Sequence, residues 1–392
     1  MKVLKCFITS IVLLWTASGA FAQKDNHIIF PGDSTTFQHF YAKLDTLLEN
    51  GQGHINILHI GGSHIQAGIW SQQMRRNLLL MEGGPEGTAE EHLDGGRGLI
   101  FPFSIAKTNN PESFRTRYTG VWTNCKNTKP EPVKALGLTG VAVTTRDTAA
   151  SISIIMQEKR PHDRAPHFTF DRIRLLGEYD GSPMDSMIIL ESPVDSITLS
   201  FKDFKYEVTL TGILLDNGRP GISYHGIGVN GASLVAYSRC DNLEKDLELI
   251  KPDLVIFSVG INDASGPNFK EDVFMGRYDA LIEQVERVSP GCAMLFTTNN
   301  DSFKRVKRGV YAVNQNGPRV EAAFMQLGKK HGAGVWDLFH IMGGLNSMKR
   351  WEIEGLAKKD KIHFTQEGYE ILGDWMFEAL MEGYENYKAS AR

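Results

Sequence analysis

The chain has 392 residues and a formal net charge of −4, with no basic patch or stripe, which argues against a nucleic-acid partner. It holds four cysteines, too few and too scattered for a disulfide framework. A chain this long can bury a sizeable core and has room for more than one domain.

The first 22 residues, "MKVLKCFITSIVLLWTASGAFA", place Lys2 and Lys5 ahead of an apolar run and end on a small-x-small pattern. They read as a secretory signal peptide, because the run is too short to span a bilayer. No later segment is apolar enough to cross a membrane, so the expected location is periplasmic or extracellular. Removing residues 1–22 takes away two lysines and no acid, moving the net charge to −6. Of the remaining cysteines, Cys125, Cys240 and Cys292, one pair is the most that can bridge; three buried thiols is the simpler expectation.

Residues 35–81 read as helix, strand, helix: "TTFQHFYAKLDTLLEN" is apolar at helical spacing, "INILHI" is a buried strand and "IWSQQMRRNLLLM" is helical again. From about 101 to 215 short runs rich in Val, Ile, Thr and Phe alternate with turn residues, as in "FDRIRLLGEY", "DSITLSFK" and "YEVTLTGILL". That texture predicts an antiparallel sandwich or jelly roll. From about 230 an α/β rhythm returns. "LVAYSRCDNLEKDLELI", "EDVFMGRYDALIEQVERV", "PRVEAAFMQLGKKHG" and "TQEGYEILGDWMFEALMEGYENY" are helical; "DLVIFSVG", "CAMLFTTN" and "AGVWDL" are strands. Such alternation predicts a parallel sheet covered on both faces. The expected plan is one α/β domain, residues 23–100 and 216–392, interrupted by a β domain at 101–215.

In such a sheet, ligands bind beyond the carboxyl ends of the strands. "GGSH" follows the first strand, with Gly61 and Gly62 permitting a sharp turn before Ser63. Taken alone, Ser63 reads as a helix cap. "GIND" (260–263) follows a second strand, and its Asn262 offers a neutral amide donor. "GIGVNGAS" (226–233) re-enters the α/β domain and brings Gly231, whose backbone N–H can approach a ligand closely. "DKIHFTQEGY" (360–369) precedes the last helix, and the spacing of Asp360 and His363 lets a carboxylate orient an imidazole that then serves as a base. "PGDS" (31–34) reads as a cap for the helix starting near Thr35. His54, His59 and His64 are spaced by five, which on a strand puts neighbours on opposite faces, so no metal is expected. No P-loop is present, and "GIGVNG" lacks the strand–helix setting and acidic residue of a dinucleotide loop. No cofactor is expected.

The four blocks, a Gly-Ser turn, a loop Gly, G-x-N-D and D-x-x-H, stand in the order of the SGNH/GDSL hydrolase family, which the α/β part of the chain resembles. The resemblance implies a three-layer α/β/α fold, a nucleophile at Ser63, a base at His363 oriented by Asp360, and oxyanion donors from Ser63, Gly231 and Asn262. "HIGGSHIQAG", "GGRGLIFPF" and "YHGIGVNGAS" around a β insertion are similar to the secreted peptidoglycan O-acetylesterase branch, in which the insertion resembles a carbohydrate-binding module. That implies a serine acetylesterase acting on an acetylated cell-wall glycan. Acetylesterases of other polysaccharides, an acetyltransferase sharing the acyl-enzyme and a non-catalytic glycan-binding protein are the rivals. Trp122 and Tyr118 are candidates for stacking on sugars. The family's usual Asp before the nucleophile is here Gly62.

Overall fold

The computed structural model describes residues 25–81, 98–100, 115–118, 141–146, 151–155, 169–202, 205–238, 240, 242–308 and 310–391. The expected signal peptide, Cys125, Trp122 and the side chain of Tyr118 lie outside the described parts. In chain order the strands are β1 (Ile28–Ile29), β2 (His54–Gly61), β3 (Gly98–Ile100), β4 (Arg115–Tyr118), β5 (Val141–Thr145), β6 (Ser151–Ile155), β7 (Phe170–Tyr179), β8 (Ser182–Val194), β9 (Ser196–Ser200), β10 (Val208–Asp216), β11 (Gly221–Gly228), β12 (Leu254–Ser258), β13 (Ala293–Thr297), β14 (Phe303–Lys307), β15 (Val310–Val313) and β16 (Gly334–Trp336). The helices are α1 (Thr35–Asn50), α2 (Ser63–Gln66), α3 (Ile69–Leu79), α4 (Leu234–Tyr237), α5 (Leu243–Ile250), α6 (Glu271–Val288), α7 (Gly317–His331), α8 (Leu338–Ile341), α9 (Ser347–Ile353) and α10 (Gln366–Ala391).

The central sheet runs β1-β16-β13-β12-β2-β11, parallel except for the short edge strand β1. Its strands are buried on both faces, and their period of two divides them between two cores. Ile55, Ile57, Leu254, Ile256 and Leu295 join a core with α1, α3 and α10. Leu58, Ile60, Val255, Phe257 and Phe296 join another with α5, α6 and α7. This is the three-layer arrangement. The chain order reverses around β2, which pairs with β11 on one side and β12 on the other. The switch point therefore lies between β2 and β12, and a crevice forms at their carboxyl ends.

Between α3 and β11 the described residues form an antiparallel sheet, β4-β5-β10-β7-β8, with β3 also on β10, and a separate pair, β6–β9. Phe170, Ile173, Val208, Leu210, Ile213 and Leu215 make its core. Because Gly98–Ile100 pairs with Ile213–Leu215, this sheet reaches back three residues before the expected boundary at 101.

Several elements differ from the expectation. The loop expected at "GIGVNGAS" begins inside a strand: β11 ends at Gly228. Its glycines, serine and histidine conceal it, yet it is buried because it pairs with β2 over its whole length. The helix expected over 234–250 is two, α4 and α5. The hairpin β14–β15 was unforeseen. Among the described residues no helix is long and apolar enough to cross a membrane.

Gly228 and Gly61 stand opposite each other in register, and the turn after β2 packs directly on them. A Cβ at Gly228 would lie 2.1 Å from the backbone nitrogen of Gln66, whereas one at Gly62 would have its nearest neighbour at 3.4 Å. Gly228→Ala is expected to cost about 1–3 kcal/mol through forced separation of β11 from α2, and Gly62→Ala far less. Thermal denaturation of the two proteins checks this; equal midpoints would contradict the packing argument.

Candidate active site

The chain turns sharply at the end of β2. A Cβ on Gly61 would lie 2.3 Å from Cγ1 of Ile65, so only glycine lets α2 fold back there. The Tyr237 hydroxyl donates to the Gly61 carbonyl at 2.7 Å and fixes the strand end. Ser63 is the first residue of α2, with Gly62 at the cap position and no side-chain capping bond. Its Oγ instead lies 2.8 Å from Nε2 of His363. The helix expected over 69–81 is α3, and a separate four-residue turn, α2, precedes it, with Gly68 at φ 78° between the two. The macrodipole of α3 therefore does not start at the serine.

His363 sits on the loop before α10. Its Nδ1 lies 2.8 Å from Oδ2 of Asp360, while Oδ1 of the same carboxylate accepts from the backbone N–H groups of Ile362 and His363, both at 3.0 Å. Partial burial opposes ionisation of Asp360, but the bond to the His363 ring and these backbone donors outweigh it and hold its pKa well below the usual carboxylate range. Phe364, fully buried against Trp351 and Tyr369, anchors the loop in the core. Ser63, His363 and Asp360, 300 residues apart at the extremes of the first contact, thus form one hydrogen-bonded relay.

Asn262 follows Gly260, whose φ of 149° is a conformation L side chains rarely adopt. The Asn262 Nδ2 donates to the carbonyl of Ala232 at 2.8 Å and would lie 3.4 Å from a Cβ at Gly62. The amide therefore stands beside the residue that precedes Ser63, where the family usually has Asp. Gly231, at φ 75°, occupies a turn closed by the Ala232 N–H on the Val229 carbonyl at 2.9 Å. The same loop is laced to the serine turn: Val229 N–H donates to Gly61 at 3.2 Å, and Asn230 N–H donates to Oε1 of Gln66. All five expected residues, Ser63, Gly231, Asn262, Asp360 and His363, come to the carboxyl ends of β2, β11 and β12 or to the loop facing them.

Four supporting residues had no such role assigned from the sequence: Gln66 and Tyr237, which no motif marks, His64, which appeared only in the histidine spacing, and Asp263, the last residue of G-x-N-D. His64 packs against His363 with ring centroids 5.3 Å apart and shares a 2.9 Å hydrogen bond with the Tyr369 hydroxyl. Burial first, and the neighbouring His363 second, push its pKa down to about 3. His59 bridges the Tyr224 and Ser258 hydroxyls at 2.7 Å each, and His54 meets Arg219 and Ser223. The three histidines thus occupy separate environments. Glu321, Asp337 and His340 do lie within 4.8 Å of one another beyond β16, with Asp337 accepting from Thr298 and capping α8. In "PGDS" it is Asp33, not Ser34, that accepts from Thr35. Cys240 and Cys292 are both buried.

Residues 195–371 match the GDSL-like Lipase/Acylhydrolase family. That stretch contains Gly231, Asn262, Asp360 and His363. Ser63 lies outside the match, ahead of the β insertion, and the pairing of β2 with β11 and β12 brings it to the others. Among solved structures, a peptidoglycan O-acetylesterase is 19% identical, with a TM-score of 0.67 over 92% of this chain and 99% of that one. An acetyl xylan esterase is 18% identical, with a TM-score of 0.33 over 40% of this chain and 81% of that one. A GDSL-like lipase from Bacteroides thetaiotaomicron is 18% identical, with a TM-score of 0.32 over 41% and 76%. No curated protein matches the chain.

Asp263 links the Asn262 turn to α4: its carboxylate accepts from Leu234 N–H at 3.1 and 3.2 Å, with Arg277 at 3.9 Å. Burial raises its pKa to about 6, against those bonds. Between the unfolded value near 4 and this one, the unfolded chain has released a proton that the folded chain keeps. Its stabilising contribution is therefore complete below about pH 4 and lost as the pH rises through about 6. Relative to Asp263→Asn, the unsubstituted protein is expected to lose about 2–3 kcal/mol of stability between those limits. Paired urea titrations across pH 4–7.5 measure it; parallel pH profiles would contradict it.

Proposed function

We propose that this chain is an exported serine acetylesterase that removes O-acetyl groups from a bacterial cell-wall glycan. The observation that carries the reading is the Ser63–His363–Asp360 relay, with contacts of 2.8 and 2.8 Å. In this reading Ser63 Oγ attacks the acetyl carbonyl as His363 Nε2 takes its proton, a help the hydroxyl needs because it is a weak nucleophile at its own pKa. Asp360, ionised throughout the working range, holds Nδ1–H of the ring and stabilises the imidazolium. The oxyanion takes hydrogen bonds from the Ser63 N–H, the Gly231 N–H and the Asn262 amide. One hydrogen of that amide is engaged by Ala232, and the second is the one the oxyanion uses. The intermediate collapses, the sugar alcohol leaves with the proton from His363, and a water deprotonated by His363 then releases acetate.

The glycan assignment draws on the fold likeness to a peptidoglycan O-acetylesterase along nearly the whole length of both chains. It also draws on the interposed β sheets, which we take for a jelly-roll-like glycan-binding insert. Export rests on the first 22 residues.

An aryl acetate assay tests the chemistry. The protein is expected to hydrolyse it, and Ser63→Ala to lower kcat by about 10³-fold or more. Acetate release should be faster from O-acetylated peptidoglycan than from acetylated xylan. Equal rates for Ser63→Ala and the unsubstituted protein would remove the nucleophile; faster release from xylan would remove the glycan assignment.

A further inference from the structure

The loop that carries Asp360 and His363 is bonded to a hairpin that the acyl-transfer steps leave unused. Phe303 N–H donates to the Lys361 carbonyl at 3.1 Å, and Asn300 Nδ2 to the Ile362 carbonyl at 3.1 Å. Lys361 Nζ pairs with Glu352 at 2.9 Å and lies 5.6 and 6.0 Å from the ring centres of Phe303 and Tyr311. The base of β14–β15 is thus built on the two residues between the base and its orienting carboxylate.

Away from that base the hairpin projects. Val306 is 54% exposed, Val310 40% and Tyr311 42%. A lone two-stranded hairpin is marginally stable in water, and exposed apolar side chains give it no core. The segment 302–314, "SFKRVKRGVYAVN", also holds Lys304, Arg305, Lys307 and Arg308 and no acid, in a protein whose net charge is −4. A local cationic excess of this kind attracts anions over a Debye length. Its rigid attachment to the acid–base loop fits a ligand that must come within reach of His363. A bilayer has no such need.

We propose that the hairpin Phe303–Val313 is a substrate arm that selects carboxylate-bearing acetylated glycans and directs them to Ser63. Lys304 and Arg308 meet the carboxylates, while Tyr311 and the valines cover apolar sugar faces. This inference rests on the esterase reading. Carboxylates of two origins fit it: the lactyl and peptide carboxylates of peptidoglycan, and the uronic acids of other polysaccharides.

Acetate-release kinetics on three substrates separate the cases: O-acetylated peptidoglycan fragments, acetylated oligogalacturonates and neutral acetylated xylo-oligosaccharides. In Lys304→Glu/Arg308→Glu protein, kcat/KM for the preferred acidic substrate, divided by that for the neutral one, is expected to fall about tenfold at low salt. The loss should shrink at about 0.5 M salt. Lys251→Glu/Lys329→Glu makes the same charge change at the C-terminal ends of α5 and α7, which lead into the amino ends of β12 and β16 and lie away from the crevice, and should keep the ratio. Lys304→Gln/Arg308→Gln replaces the reversal if that protein does not fold. An unchanged ratio overturns the inference, as does an equal loss on the neutral substrate. So does a loss confined to binding phosphatidylglycerol vesicles. If the unsubstituted protein hydrolyses no acetyl ester, the esterase reading itself fails; binding of the same fragments to Ser63→Ala protein then still reports on the hairpin.

Discussion

The parallel register that sets Gly61 beside Gly228 on one flank and Ser258 on the other is the constraint on which the site depends. Three strand ends stop at one level, so the residues that follow them must share a small volume. Side chains at Gly61 or Gly228 would hold the serine turn away from β11. Without them, α2 settles on the sheet, Gln66 reaches Asn230, and the Asn262 amide comes beside Gly62. Residues about two hundred positions apart in sequence meet because a backbone ladder aligns them.

The loop that carries Asp360 and His363 arrives by a different route. It belongs to no strand of the central sheet and is fixed by its own carboxylate and by the core. Asp360 uses one oxygen to shape the loop backbone and the other to orient His363. Orientation of the imidazole and conformation of the loop are therefore a single feature. Phe364, next to His363 in sequence, is buried in the core, and His64 packs on both rings, giving the loop its footing.

Much of this was legible from the residues. Near-continuous apolar runs in "INILHI", "DLVIFSVG" and "CAMLFTTN" announce strands covered on both faces. The D-x-x-H spacing gives the relay its shape. What escaped has physical reasons. β11 is rich in Gly, Ser and His, weak strand formers whose place is set by pairing with β2 rather than by propensity. The hairpin's run of cations masks its alternation. Gln66 acts through one bond to a backbone N–H supplied by a loop some 160 residues away, which no local pattern encodes. The serine was the most ambiguous residue taken alone. It is resolved by its Oγ, which meets an imidazole where a cap would meet a backbone N–H.

The central claim is that Ser63 carries the acyl group. The most direct measurement is mass spectrometry of the protein after reaction with an organophosphonate that traps serine hydrolases, followed by peptide mapping. The account predicts one adduct per chain, on Ser63, formed far more slowly when His363 is replaced by Ala. An adduct on Ser34 or another serine, or labelling of Ser63 that is indifferent to His363, would contradict it.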